Sequence, residues 1–224
     1  MVQPAVRRNV VLPNEILRKI FALVLEGSSA RSKAIDLKYY GLLARIGMLG
    51  KLMRVDYHFA VVAVAVFYEV NGFDFWKFHP GNRNETYPAI NEFGCRMPPA
   101  LPPLWAHEYL RQIRIVVHLS DKWWDDTFGA WCTITSAEDL IRYCPGARIL
   151  QLLTTSMTNL RSLDLQIEEL FRREEPLESC AVYRSAGFQM HAKEIKFLIV
   201  EPRTGLPRKD SDHWYPELAN AIGL

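Results

Sequence analysis

The spacing of hydrophobic and polar positions in this chain predicts that helices lead and strands follow. Between residues 12 and 26 the apolar side chains recur every three to four positions, which is the spacing of one helix face. Pro13 suits the first helical position, and Gly27 is a residue at which a helix readily ends. A similar period runs through residues 42–67, so we expect a second helical region there.

Further along the chain, shorter segments favour strands, either by the period of two or as short apolar runs. The strands predicted on this basis span residues 73–75, 113–117, 149–153, 181–183 and 195–200. Ser136 stands where an N-cap is expected for a helix over residues 137–143, and helical spacing predicts another helix over residues 159–173. Together these elements predict an α+β fold, with an N-terminal helical segment followed by a small mixed sheet with helices.

Proline content suggests how the chain is divided. The proline-rich residues 79–104 have no periodic pattern, which is typical of a loop or linker. We therefore expect residues 1–78 to form the N-terminal helical segment and residues 105–202 to form the C-terminal α+β part. The more polar residues 203–224 are expected to lie at the periphery.

Composition and charge narrow the class of protein. A chain of 224 residues is long enough to bury a core without disulfides or metals. Its net charge of +2, from 27 basic and 25 acidic residues, lacks the basic excess of a nucleic-acid binder, so we expect no nucleic-acid partner. The longest apolar run, residues 59–68, has about half the length that spans a bilayer. With no apolar core of a secretory signal near the N-terminus, we expect an intracellular protein with no membrane partner.

The sequence contains few motifs typical of disulfide, metal-binding or catalytic sites. The cysteines form no C-x-x-C pair and are interpreted as free thiols, with a bridge between Cys132 and Cys144 as the alternative. The histidines lack metal-binding spacing, so we expect no metal and no cofactor. The pair His107-Glu108 is best explained as the start of a surface helix. Because no phosphate-binding loop or nucleophile elbow is present either, we predict that the chain is not an enzyme.

The most unusual polar-aromatic cluster is residues 121–126, with the sequence DKWWDD. Aromatic rings beside carboxylates bind sugars or cations in some proteins. Neighbouring carboxylates such as Asp125 and Asp126 also occur in acid–base catalysis. The favoured interpretation is structural, with both tryptophans and Trp131 folded onto the core and the acids in solvent.

The N-terminal helix carries a motif that is similar to a known family. The segment Leu12-Pro13-x-Glu15-Ile16-Leu17-x-x-Ile20-Phe21 resembles the opening of the F-box motif. The segment Leu52-Met53-x-Val55-x-x-x-Phe59 resembles the later helix of that family, and residues 26–49 separate the two where the family has a short turn. The chain is most similar to divergent F-box-like proteins of filamentous fungi, which continue with stretches like Phe67-Tyr68-x-x-Asn71-x-Phe73-x-Phe75 and Tyr109-Leu110-Arg111-Gln112-Ile113-Arg114-Ile115.

This resemblance implies a role in protein interaction. F-box proteins use this helix face to dock the Skp1 adaptor of a cullin ubiquitin ligase, so a Skp1-like partner and an unknown target protein are implied. The docking residues implied are Leu12, Pro13, Ile16, Leu17, Ile20 and Phe21, with Val55 and Phe59 in support. The alternative is a structural or self-associating α+β protein, in which the F-box-like helix is buried in the chain's own core and has no ligase role.

Overall fold

The computed structural model describes residues 12–25, 34–36, 48–75, 101–125, 127–169, 176–200, 207 and 214–224. Helices and strands are intermixed over these ranges, which confirms the predicted α+β class. In chain order the elements are α1 (Asn14–Leu25), β1 (Ala34–Asp36), α2 (Met48–Leu52), α3 (Tyr57–Val70), β2 (Gly72–Phe75), a 3-10 helix (Leu104–Tyr109), β3 (Gln112–Leu119), β4 (Lys122–Asp125), β5 (Ala130–Thr133), α4 (Ala137–Tyr143), α5 (Pro145–Thr155), β6 (Leu160–Glu169), α6 (Pro176–Ser185), β7 (Ala192–Val200) and α7 (Tyr215–Ala221).

The helices α1 and α3 form where the sequence predicts helices. The carbonyl of Pro13 accepts the first N–H groups of α1, and Glu15 lies at the positive end of its dipole. Asp56 caps α3 by accepting the N–H of Phe59 at 2.9 Å. The valines of α3 favour strand by propensity, but burial against α1 and the rest of the core holds them in a helix. Of the predicted helical region, residues 42–47 lie outside the described part.

The main sheet has five strands in the order β1-β2-β3-β6-β7, and each is parallel to its neighbours. Parallel neighbours need a crossover connection; α4 and α5 lie in the connection from β3 to β6, and α6 lies in the connection from β6 to β7. In the pairing of β2 with β3, Phe73 lies opposite Ile113, so segments on both sides of residues 79–104 share one sheet. Most of the predicted linker lies outside the described residues. Strands β4 and β5 form a separate antiparallel hairpin.

The two faces of the sheet differ in polarity because successive side chains of a strand point to opposite sides. Phe73, Ile115 and Leu165 lie on one face and are fully buried in the core, together with apolar side chains of α1, α3, α5 and α7. The opposite face carries polar side chains, among them Asp74 and Arg114. The apolar face of the sheet and the buried side chains of the N-terminal helices therefore belong to one core.

Three predicted elements have the wrong type. Residues 149–153 and 181–183 were predicted as strands, but they lie in α5 and α6. The helix predicted over residues 137–143 is α4 and ends at Tyr143; Pro145 then begins α5, because its missing N–H is harmless at a helix start. Residues 159–173 were predicted as a helix, but the part of them that is described forms β6, paired with β3 and β7.

The C-terminal segment also differs from the expected peripheral position. It includes α7, in which Leu218 is fully buried, and Ile222 just after the helix is fully buried as well. The phenolic hydroxyl of Tyr215 donates to the carbonyl of Phe197 on β7 at 2.8 Å. The apolar residues of α7 are spaced for one helix face, so this part of the chain completes the core beside α6.

Candidate functional site

The apolar residues of α1 form two adjacent ridges with different environments. In one ridge Leu17 and Phe21 are 1% and 2% exposed and belong to the core. In the other, residues spaced four apart are about half exposed: Leu12 39%, Ile16 42%, Ile20 42% and Val24 44%. Residues four apart on a helix lie on the same side, so these side chains line a continuous strip along α1.

The helix has more apolar surface than its packing uses. At about 100° of rotation per residue, the large apolar side chains from Leu12 to Leu25 cover an arc of about 220°. An amphipathic surface helix needs an apolar stripe of about 100° to face its core. The part of the apolar arc that does not face the core contains the half-exposed strip and Leu23, which is 82% exposed. Contiguous exposed apolar surface of this kind marks interaction sites in soluble proteins.

A second group of exposed apolar residues lies between α2 and α3. Met53, Val55 and Tyr57 are exposed there, with Val55 60% accessible. Both α2 and α3 contact α1. We call the exposed side chains of α1 and of this turn the N-terminal apolar surface: Leu12, Ile16, Ile20, Leu23, Val24, Met53, Val55 and Tyr57.

Polar contacts hold α1 in a fixed position on the fold. The side-chain amide of the buried Asn71 donates to the carbonyl of Leu25 at 3.0 Å and to that of Phe67 at 2.9 Å, joining the ends of α1 and α3. Glu69 pairs with Arg18 on α1, and its second carboxylate oxygen lies 3.4 Å from Arg111. These contacts tie α1 to α3 and to the start of β3.

The docking residues implied by the F-box resemblance therefore fall into two groups. Leu12, Pro13, Ile16, Ile20 and Val55 are exposed. Leu17 and Phe21 are buried, so these two side chains are not available to a partner. Phe59 is half-buried and packs against Phe21 with ring centroids 5.6 Å apart. The inclusion of Leu17 and Phe21 in a docking face was wrong, because periodicity identifies apolar positions without showing which side of a helix meets the core. Leu23 and Val24 were missed, although their apolar character was visible in the sequence.

The tryptophan cluster lies on the β4–β5 hairpin. Trp123 packs on Tyr143 of α4, with parallel rings and centroids 3.8 Å apart, which fits the structural interpretation. Trp124 instead faces Trp131 across the hairpin, with centroids 5.6 Å apart. The prediction that Trp131 joins the core was wrong, because it is 40% exposed. The alternation of side chains in a strand places neighbouring tryptophans on opposite faces.

The tip of this hairpin is also aromatic. Phe128 is 77% exposed, and the Oδ1 atom of Asp125 accepts the N–H groups of Thr127 and Phe128. Gly129, with φ of 58°, completes the turn. Asp125 thus shapes the turn, and Asp126 lies outside the described residues. The exposed rings make the hairpin a second candidate interaction surface.

On the polar face of the sheet, charged side chains are paired with one another. The Nε atom of Arg114 donates to Asp164 at 2.8 Å, and its guanidinium lies 3.8 Å from Asp74 on the other neighbouring strand. Further along, His118 Nδ1 lies 2.7 Å from Glu168. This mutual pairing across neighbouring strands supports a structural role for these charges.

The prediction that His107-Glu108 starts a surface helix was wrong for His107, whose side chain is buried. Its Nδ1 lies 2.7 Å from the hydroxyl of Ser156, and its Nε2 lies 2.9 Å from the carbonyl of Pro102. Burial lowers the pKa of His107, while the hydrogen bond to Pro102 acts in the opposite direction. The imidazole therefore ties the 3-10 helix to the end of α5.

Several other features bear on chemistry and location. Cys132, Cys144 and Cys180 are free thiols, so the alternative bridge between Cys132 and Cys144 is wrong; Cys95 lies outside the described residues. The described residues contain no cluster of side chains suited to a metal ion. Within the described part of the chain, no helix has both the length and the apolar character to span a bilayer.

A surface depression of about 270 Å³ is lined by residues without titratable side chains, namely Ala137, Ile141, Gln151, Thr154, Thr155, Ser185, Ala186, Gly187 and Phe188.

Comparison with protein-family models, with curated proteins and with solved structures finds no match to this chain. The arrangement of its own side chains is therefore the basis for assigning a function.

Proposed function

We propose that this chain is an F-box-type adaptor, in which the N-terminal apolar surface docks a Skp1-like protein of a cullin ubiquitin ligase and the C-terminal part recruits a target protein. The observation that carries the proposal is the half-exposed strip of α1. Leu12, Ile16 and Ile20 of this strip are among the docking residues implied by the F-box resemblance. The proposal assigns the chain a binding role and no catalysis.

Docking through this surface is physically favourable. Apolar surface that a partner removes from water contributes about 25 cal/mol per Å² before the costs of association are subtracted. An amphipathic helix laid into an apolar groove is a common form of peptide recognition. Because Asn71 and Glu69 already hold α1 in place, little ordering of the helix is needed on binding.

The proposed roles of individual residues follow from their exposure. Ile16 and Ile20 contact the partner, while Leu17 and Phe21 anchor the helix to the core. The C-terminal part offers the exposed rings of the hairpin as a surface for the target protein. Trp131 is the residue of that hairpin best suited to such a contact, since exposed aromatic side chains often dominate binding energy.

The test is co-purification with a recombinant fungal Skp1. The full chain is expected to capture Skp1, and Ile20→Asp is expected to abolish the capture while leaving the melting temperature nearly unchanged. The matched control is Leu177→Asp on α6, which places the same charge at another exposed aliphatic residue and is expected to bind normally.

Three results would count against the proposal. Absence of Skp1 capture by the wild-type chain would overturn the adaptor role. If the chain instead forms a dimer that Ile20→Asp converts to a monomer, as measured by light scattering, the strip is covered by a second copy and the chain is self-associating. A strong loss of melting temperature in Ile20→Asp would contradict the exposed position of that side chain.

A further inference from the structure

The side chains that surround the N-terminal apolar surface carry an excess of positive charge. Lys51 and Arg54 lie beside Met53 and Val55 in α2 and the turn that follows, and Lys19 precedes Ile20 on α1. All three basic side chains are exposed. Within the described residues, none of the three takes part in an ion pair or a side-chain hydrogen bond.

Fewer acidic than basic side chains of this region remain outside ion pairs. Glu69 pairs with Arg18 and Arg111. The exposed carboxylate of Asp56 accepts the N–H of Phe59 at the N-terminus of α3 and keeps its negative charge. Glu15 is exposed in the first turn of α1. The three exposed basic side chains therefore exceed the exposed acids by one positive charge. The exposed imidazole of His58 follows Tyr57 on α3.

The basic turn lies close to the α1 strip. Phe59, at the start of α3, packs against Phe21, the buried neighbour of Ile20 on α1. Arg54 and Val55 precede Phe59 by only one short turn of chain. The exposed apolar residues and the basic residues of the two elements are therefore parts of one region of the surface.

We infer that the N-terminal apolar surface takes a partner whose groove is apolar at its centre and acidic at its rim. This inference rests on the proposed function and adds the chemistry of the partner's surface. Charges at the rim of an interface mainly change the rate of association, because they steer the approach of the two proteins. Lys51 and Arg54 are then steering residues, while Ile16 and Ile20 determine how long the complex lasts.

The experiment measures the association and dissociation rate constants of the full chain with recombinant fungal Skp1. We expect association to slow by about tenfold between 50 and 500 mM NaCl, because salt screens exposed charges. The double variant Lys51→Glu, Arg54→Glu is expected to associate about tenfold more slowly at 50 mM NaCl, with dissociation changed by less than about twofold.

A matched variant separates local charge from net charge. Lys193→Glu, Lys196→Glu changes the net charge equally, but on exposed residues of β7, at the opposite edge of the sheet from β1. It is expected to associate within about twofold of the wild-type rate.

The possible results distinguish the inference from the proposed function. Binding that Ile20→Asp removes, but that neither salt nor the Lys51→Glu, Arg54→Glu variant slows, overturns the acidic rim and leaves the adaptor role intact. Equal slowing by the two double variants also overturns the inference, since net charge alone would then account for the effect. No binding of Skp1 at either salt concentration overturns both.

Discussion

Phe21 of α1 and Phe59 of α3 pack edge to face, with ring centroids 5.6 Å apart and ring planes at 66°. Phe21 is buried, whereas the preceding residue, Ile20, is about half exposed. Adjacent residues of one helix therefore have different physical roles. We expect Phe21→Ala to lower the free energy of unfolding by about 3–5 kcal/mol, because it removes a buried ring and leaves a cavity. Urea denaturation, monitored by circular dichroism, measures this loss of unfolding free energy.

The control for this prediction is Ile20→Ala. Its side chain is partly in water in the folded protein, so the expected loss is below about 1 kcal/mol. Equal losses for Phe21→Ala and Ile20→Ala would contradict the division of α1 into a buried and an exposed ridge.

This division also shows what the sequence of α1 could reveal. The spacing of its apolar residues, with Pro13 at the start, was enough to place the helix within one or two residues. It could not show which apolar residues face the core, because the apolar arc is wider than one contact needs. That choice depends on α3, whose Phe59 and Val62 lie far away in the sequence.

The type of several later elements depended on tertiary context in the same way. In β6, Leu163 and Ile167 are four residues apart, which fits a helix face as well as every second position of a strand. Pairing with β3 and β7 on both sides decides in favour of the strand. In α5, the run from Ile149 to Leu153 is apolar in either form, and the helix is set by its start at Pro145 and by packing on β3.

The sequence of the β4–β5 hairpin contains turn residues that the sequence analysis did not use to predict a hairpin. Asp125 and Gly129 bracket the turn, the first by accepting backbone N–H groups and the second by its positive φ. Placing the turn there sets the register and leaves Trp124 opposite Trp131. Their partial exposure could not be deduced, because it depends on the hairpin standing apart from the main sheet.

Asn71 provides a second prediction, through its two amide hydrogen bonds to the carbonyls of Leu25 and Phe67. Asn71→Ala is expected to lower the free energy of unfolding by about 1–3 kcal/mol, because two carbonyls lose a buried donor. Asn71→Asp is expected to cost more at pH 7, since a carboxylate oxygen then faces those carbonyl oxygens. Protonation of the new carboxyl restores a donor, so the difference between Asn71→Asp and wild type is expected to be smaller at pH 4. A larger difference at pH 4 would contradict the assigned role of the amide.

For Gly146 we predict a change in stability opposite in sign to the usual effect of replacing a helical glycine by alanine. Replacing a helical glycine by alanine normally stabilises a helix. Here an added Cβ would lie 1.9 Å from the carbonyl oxygen of His118, because α5 begins directly against the backbone of β3. We expect Gly146→Ala to destabilise the protein by about 3 kcal/mol. Thermal or urea unfolding of the purified variant checks this value.

The comparison variant is Gly187→Ala. Gly187 has a φ of +66° and no atom within 4 Å of an added Cβ, so only backbone strain opposes the substitution. The expected cost is about 1–2 kcal/mol. A variant of Gly146 that is as stable as the wild type would show that α5 lies further from β3 than described.

The last prediction concerns the pH dependence of stability and follows from His107. Burial lowers its pKa below the ordinary value of 6.5 in the folded protein. The unfolded chain therefore takes up a proton at this residue at a higher pH than the folded chain does. The contribution of His107 to stability is complete above pH 6.5 and decreases as the pH falls below that value, until the folded pKa is passed.

His107→Gln removes this titration while its amide is still able to donate to Pro102. Urea unfolding at pH 5, 6, 7 and 8 is expected to show a smaller loss of stability at low pH for His107→Gln than for the wild type. The variant His191→Gln, which changes an exposed histidine, is the control and is expected to keep the wild-type profile. An unchanged profile in His107→Gln would mean that the buried imidazole does not determine the acid sensitivity of the fold.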